Sequence, residues 1–159
     1  MDLTEVVKHW KSVRWDLLRA LDMLTDEDLV FVPRDGLWSL GKVARHIAEA
    51  EEGWFRYAVS RELEEWPEFR DEDYATVASI ENLLSEVHER TQALLAAPGP
   101  QGLATLGTTS AELEMAVETP WGEKLALDWI ILHVLEHEIH HRGEIYLMLG
   151  LLGLVAPSI

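Results

Sequence analysis

The chain has 159 residues, contains no cysteine and carries a formal net charge of −16. The absence of cysteine excludes disulfides, thiolate metal ligands and cysteine nucleophiles. Because 29 acidic residues outnumber 13 basic ones, and the basic residues form no patch in the sequence, neither nucleic acid nor an anionic membrane is an expected partner. The length fits a single domain, 1–159. A signal peptide and a membrane-spanning apolar run are both missing from the sequence, so we expect a cytoplasmic protein.

The first half of the chain predicts two helices. Apolar residues recur at helical spacing over 2–24, which indicates the first helix. The segment 25–28 resembles a cap that starts a short extra turn, and 33–36 contains the proline and glycine of a turn. Ser39 can cap a second helix that runs to about Ser60.

The middle of the chain predicts a third helix after an irregular stretch. Residues 61–75 are acidic and contain Pro67, so we expect a connection with at most irregular helix. The apolar pattern over 76–97 indicates an amphipathic helix. The Pro-Gly-Pro sequence at 98–100 ends that helix.

The last part of the chain predicts a long connection and a final helix. Helical periodicity is poor over 101–124, where 113–118 and 124–127 flank a turn and form either a small hairpin or an extended linker. The final helix is expected over about 126–149, with Gly150 as its C-cap. Four long helices with little strand predict an all-α four-helix bundle with a long connection between helices three and four.

Three histidines form the candidate metal site. His137 and His141 are four residues apart, so their side chains lie about 40° apart on one helix face and can converge on one ion. His46 lies on the apolar stripe of the second helix, opposite a side that carries Arg45 and Glu52. Burying a histidine in each of two helices is costly unless both are satisfied, and one divalent metal ion would satisfy all three.

The remaining histidines have less defined roles. His133 and His140 lie near the ligand face of the helix, but their angular positions match it less closely than those of His137 and His141. Each is therefore a candidate for the pocket or for contacts behind the ligands. His9 and His88 stand beside charged residues, so we expect both to be solvated.

Aromatic and acidic neighbours complete the candidate set. Trp38, Trp54 and Tyr57 are possible pocket walls, although such residues are more often simply core. Glu49 and Glu138 adjoin ligands in sequence, but helical geometry directs both away from the ligand face. No carboxylate is therefore assigned as a hydrogen-bond partner of a ligand, and no catalytic residue is assigned.

Two motifs carry a resemblance to a known family. The sequences HVLEHEIHHRGEI at 133–145 and WSLGKVARHIAEAE at 38–51 resemble the signature of the DinB-like (DinB/YfiT) family of metalloenzymes. The resemblance covers essentially the whole chain and implies a four-helix bundle whose ligands fall on His46, His137 and His141. It also implies zinc or nickel as the metal and a homodimer as the assembly.

The resemblance implies chemistry on small molecules. Characterised relatives include transferases and isomerases that use small-molecule thiols, and a chain without cysteine would need such a low-molecular-weight thiol as cosubstrate. A metal-dependent hydrolase is the main enzymatic alternative, and a non-catalytic, metal-stabilised dimeric binding module is the other. Glu144 stands where the family often has glutamine, and we expect this difference not to touch the ligands.

Two rival metal sites fit the sequence less well. The run from His137 to His141 matches the H-E-x-x-H pattern of zinc proteases, in which Glu138 would be the general base. No histidine follows at the metzincin spacing, and Glu144 is too near to be a third ligand from a following helix. A di-iron site needs glutamates on two helices and E-x-x-H on two others, and only one such motif, 138–141, occurs.

Overall fold

Four long helices make up most of the computed structural model, which describes residues 3–96 and 116–158. They are α1 (Leu3–Leu21), α2 (Leu40–Glu52), α3 (Val77–Ala96) and α4 (Leu127–Leu151). A short 3₁₀ turn, Asp26–Val30, follows α1, where the sequence predicts an extra turn. The all-α prediction is therefore confirmed, and the predicted helix bounds differ from the observed ones by only a few residues.

The helix that carries His46 is extended by a π-helical segment. Ser39 caps α2, because its Oγ accepts a hydrogen bond from the Lys42 amide at 3.2 Å. After Glu52 the chain continues as a π-helix, Gly53–Val59, so the predicted end near residue 60 is correct. The Trp66 ring lies so close to Gly53 that an added Cβ would come within 2.4 Å of it, which explains the glycine.

A small hairpin precedes α4, as the sequence allowed. The strands β1 (Ala116–Glu118) and β2 (Lys124–Ala126) pair antiparallel, with Val117 opposite Leu125. Gly122 has a φ of 84° in the turn between the strands, a conformation that favours glycine. The part of the predicted hairpin before residue 116 lies outside the described residues.

The acidic segment 61–75 is a connection without regular helix, as predicted. Side chains of α2 hold it against the bundle. The buried Arg45 forms an ion pair with Asp71, and Glu49 accepts a hydrogen bond from the Phe69 amide at 3.0 Å. These contacts place the connection beside the helix that carries His46.

The core combines two apolar clusters with a group of buried charges. One cluster joins α2 and α3 to the end of α4, around Ile47, Leu84 and Ile145, and the other surrounds Trp10 and Phe55. The Arg14, Glu51 and Glu138 side chains, which we call the buried ion network, are at most 4% exposed. None of the helices that the structure describes is both long and apolar enough to cross a membrane.

The charged side of α2 is itself buried, since Arg45 and Glu52 are only 3% and 4% exposed and pair with charged residues. Two sequence-based expectations about the helices are wrong. Gly150 does not end α4, since the helix continues to Leu151 and Gly153 has the positive φ of 81°. His88 is buried rather than solvated.

Candidate metal centre

The three candidate ligands meet between α2 and α4. One potential ligand atom from each of His46, His137 and His141 lies within 4.8 Å of the others. The Nε2 atoms of His46 and His137 are 3.1 Å apart, and the rings of His137 and His141 have centroids 4.4 Å apart. The i, i+4 spacing on α4 therefore brings two imidazoles together, and the facing helix α2 supplies the third.

The electrostatics of this cluster favour neutral imidazoles. Burial lowers the pKa of His137 to about 3, and the neighbouring His141 and His46 rings contribute to the shift. Burial also lowers the pKa of His141, against the opposing effect of the Glu144 carboxylate. A neutral ring nitrogen keeps the lone pair that a metal ion needs, so both groups are suited to coordination at neutral pH.

The spacing of the nitrogens fits a small divalent ion. Two nitrogens bound tetrahedrally at the usual zinc–nitrogen distance lie about 3.3 Å apart. The observed 3.1 Å between the Nε2 atoms of His46 and His137 is close to that value. Two facing acceptor nitrogens without a proton between them would repel each other, and a shared cation removes that repulsion.

Carboxylates hold two of the three rings from behind. His46 Nδ1 lies 3.3 Å from Glu49 Oε2, and His141 Nδ1 lies 2.7 Å from Glu144 Oε2. An Nδ1–H that donates to a carboxylate leaves Nε2 as the acceptor, which orients the lone pair away from the carboxylate. Burial works to raise the pKa of Glu49, but hydrogen bonds from His46 and Phe69 outweigh it and lower that pKa.

The contact of Glu49 contradicts a sequence-based expectation, and the contact of Glu144 was not predicted. Glu49 was expected to point away from the ligand face, whereas the glutamate at 144 was expected only to leave the ligand set unchanged. Each contacts the histidine three residues before it, since residues at i and i+3 are neighbours on a helix surface. The pairs were therefore visible in the sequence as two His-x-x-Glu spacings.

Glu138 belongs to the buried ion network and not to the histidine cluster. Its carboxylate accepts hydrogen bonds from Trp10 Nε1 at 2.6 Å and from Arg14 Nε at 2.7 Å. It is 1% exposed, so it cannot contact a water molecule at the cluster. A protease mechanism would therefore lack its general base here. The same network includes His88, whose Nδ1 is 2.9 Å from Glu51 Oε1.

The candidate pocket residues lie in two places. Trp38 is beside the histidine cluster, with its ring centroid 4.8 Å from that of His46 and 6.3 Å from that of His141. His140 is exposed, with Nε2 3.2 Å from Glu144 Oε1. His140, His141 and Glu144 form a second group that could hold a metal, and this group shares His141 with the first.

The other aromatic candidates form a separate cluster near the start of α4. Trp54 packs edge-on against His133, whose ring lies 6.5 Å from that of His137. Tyr57 stacks on Trp121 with the centroids 6.3 Å apart. The cluster thus adjoins the histidines through His133, while its tryptophans pack mainly on one another. The other pairs within it are Trp54 with Trp66, Trp121 and Trp129, Tyr57 with Trp66, and Trp129 stacked on His133.

Comparisons with known proteins agree with this architecture. The model of the DinB family matches residues 1–159. The uncharacterized protein YrdA of Bacillus subtilis strain 168 is 23% identical over 157 residues, which are 99% of this chain and 87% of that protein.

Solved structures show the same fold. A DinB-like protein from Bacillus cereus superposes with a TM-score of 0.73 at 22% identity, covering 97% of this chain and 95% of that one. The DinB-like protein YjoA from Bacillus subtilis gives a TM-score of 0.69 at 16% identity, covering 98% and 96%. At these identities the structural likeness concerns the fold alone.

Proposed function

The chain belongs to the DinB family, and we propose that it is a metal-dependent enzyme that acts on a small molecule. The ion is divalent, with zinc or nickel expected, and His46, His137 and His141 bind it. One observation carries the proposal: these three imidazoles, from two helices, approach one another within bonding range of a single ion.

The described residues would supply three ligands to an ion. A divalent ion held by these three neutral imidazoles would have a coordination position left for a thiol or water molecule, and would lower the pKa of that molecule towards neutrality. Glu49 and Glu144 accept hydrogen bonds from the Nδ1–H groups of His46 and His141 and so fix the direction of both rings. The low pKa of His137 keeps its ring neutral and available.

We further propose that the reaction is an S-transfer or isomerisation that uses a low-molecular-weight thiol. The chain contains no cysteine, so a thiol nucleophile has to come from a cosubstrate. The engagement of Glu138 by Arg14 and Trp10 supports this choice over a hydrolase, because the glutamate of the H-E-x-x-H pattern is then not free to act as a general base.

Metal content tests the site directly. Protein purified without a histidine tag should contain about one zinc or nickel ion per chain by elemental analysis. His46→Ala and His137→Ala should lose that ion, and His9→Ala, which removes an exposed histidine outside the cluster, should retain it. Equal metal content in His46→Ala and the unmodified chain would refute the assignment. So would protein that takes up no ion after incubation with zinc or nickel, which would leave a helical binding module.

Dependence on thiol separates the two enzymatic classes. The metal-loaded chain is incubated with electrophilic small molecules, and with esters and amides, in the presence and absence of thiols such as mycothiol or bacillithiol. A transferase or isomerase turns over only when thiol is present. Turnover of an ester or amide without thiol would identify a hydrolase instead.

Assembly and location remain predictions. We propose a homodimer, supported by the exposure of Trp129 and Leu132 on α4, which are 46% and 38% accessible. Sedimentation equilibrium on the full chain measures the mass directly, and a monomer at micromolar concentration would contradict the proposal. A cytoplasmic location is likewise expected, and fractionation of cells that express the chain would test it.

A further inference from the structure

A cavity opens beside the histidine cluster, between the segment before α2 and the last turns of α4. Its volume is about 440 Å³, which is in the range of small-molecule sites. Leu37, Trp38, Leu147 and Met148 contribute to its walls. Apart from His141 and Glu144, every lining residue is a glycine or has an apolar side chain.

The cavity and the candidate metal centre share a wall. His141 lines the cavity, and the Trp38 ring packs against both His46 and His141. A molecule that occupies the cavity therefore lies next to the imidazoles that we assign to the ion. Glu144, which holds the His141 ring, also faces this space.

The charge of the walls restricts the occupant. Among the residues that the structure describes, no lysine or arginine lines the cavity and Glu144 is its one charged lining residue, while the chain as a whole carries −16. Lys42 Nζ lies 5.8 Å from the centroid of the Trp38 ring but is paired with Glu49. Away from the proposed ion, an anionic occupant would therefore meet an acidic wall without a free compensating cation. The apolar walls, in contrast, gain from contact with a hydrocarbon chain or ring.

The walls themselves have apolar surface to cover. Leu37 and Leu147 are 57% and 66% exposed although both line a concave site. Large exposed apolar side chains gathered around a cavity mark a ligand-binding surface more often than isolated ones do. A bound molecule would remove this surface from water on both sides of the cavity.

From these observations we propose that the cavity binds the apolar body of an uncharged substrate, whose polar head reaches the open position of the ion. The identity of the head group rests on the proposed function, whereas the apolar selectivity rests on the cavity alone. The site therefore selects neutral molecules with a hydrocarbon chain or ring over charged, hydrophilic ones.

A series of straight-chain hydroxamic acids from two to eight carbons tests both parts in the zinc-loaded full chain. The hydroxamate head is uncharged before it binds a metal, and calorimetry measures the affinity of each member. We expect affinity to rise by about fourfold for each methylene that enters the cavity. The metal-free chain should show the same slope with primary alcohols, because the slope does not depend on the ion.

Matched variants locate the binding site. Leu37→Ser combined with Leu147→Ser should lower the affinity for octanohydroxamic acid by about fivefold and leave the affinity for acetohydroxamic acid unchanged, because only the long chain reaches those walls. Leu151→Ser is the control. Leu151 lies on the same helix as Leu147 and is as exposed as Leu37, at 57%, but it does not line the cavity.

The possible results separate the two proposals. The proposal of an apolar binding cavity would be overturned if affinity did not depend on chain length in either the zinc-loaded or the metal-free protein. It would also be overturned if the control variant lowered the affinity for octanohydroxamic acid as much as the double variant does. Affinity for alcohols that rises with chain length would support the cavity. If hydroxamic acids then bound zinc-treated protein no better than alcohols do, the result would count against the metal centre.

Discussion

Replacing Arg14 with methionine should destabilise the fold more than any single surface change. The Arg14 guanidinium donates hydrogen bonds to Glu138 at 2.7 and 2.9 Å, to Glu51 at 2.7 Å and to the Leu84 carbonyl. The Glu51 and Glu138 side chains are 1% and 2% exposed, so neither can exchange the lost partner for water. Methionine keeps the unbranched apolar part of the side chain and removes the guanidinium group with its charge and its donors.

The expected loss follows from the number of charges left uncompensated. Removing one partner of a buried ion pair costs about 3–5 kcal/mol, because the remaining charge stays buried without a counter-ion. Here two carboxylates lose the same arginine, which places the effect at the upper end of that range. For a domain of this size such a loss lowers Tm by roughly 10–20 °C.

Urea denaturation of the metal-free chain, followed by circular dichroism, measures the loss in the free energy of unfolding. Lys8→Met is the control, since the Lys8–Glu5 pair has both side chains about two-thirds exposed and should contribute nothing measurable. The triple variant Arg14→Met, Glu51→Leu and Glu138→Met should recover most of the loss, because none of the three charges of the buried ion network remains. A loss below about 1 kcal/mol in Arg14→Met would refute this reasoning.

Three further predictions follow from single contacts. Glu49→Gln should weaken zinc binding by about 10- to 100-fold in competition titrations, because His46 loses its anionic partner, and unchanged affinity would contradict this role. Burial works to raise the pKa of Glu51, but the facing Arg14 guanidinium outweighs burial and lowers that pKa from 4.5. The stability that ionised Glu51 contributes to the fold is therefore complete above pH 4.5 and is lost as the pH falls below it. Denaturation at a series of pH values checks this, and Glu51→Gln should flatten the acid limb. Gly153→Ala should cost about 1–2 kcal/mol in thermal denaturation, because φ is 81° there, while Gly150→Ala, in ordinary helix, should cost nothing.

The helices and the candidate ligands could both be predicted from the sequence, because both depend on spacing along one helix. The interval between His137 and His141 determines their shared face, and the apolar stripe around His46 determines that it faces inward. The same rule applies to the contacts of Glu49 and Glu144 with the preceding histidines, which the sequence analysis missed although the i, i+3 spacing contains them.

Contacts between elements could not be predicted in the same way. Periodicity gives the angle of a side chain about its own helix axis, but it does not say which neighbouring helix lies there. Thus the charges of Arg14, Glu51 and Glu138 resemble solvated residues in the sequence, and only the assembly of α1, α2 and α4 into one bundle buries them together. For the same reason His88 was assigned to solvent although it contacts Glu51 across the bundle.

The sequence by itself determined the helical class, the approximate bounds of the helices and the set of histidines able to bind one ion. Local spacing and residue chemistry suffice for these properties. The tertiary structure alone decided that Glu138 is tied to Arg14 rather than available at the site, and that Leu37 and Leu147 enclose a cavity beside His141. Those properties depend on the relative rotation and position of separate segments, which no pattern within a single helix encodes.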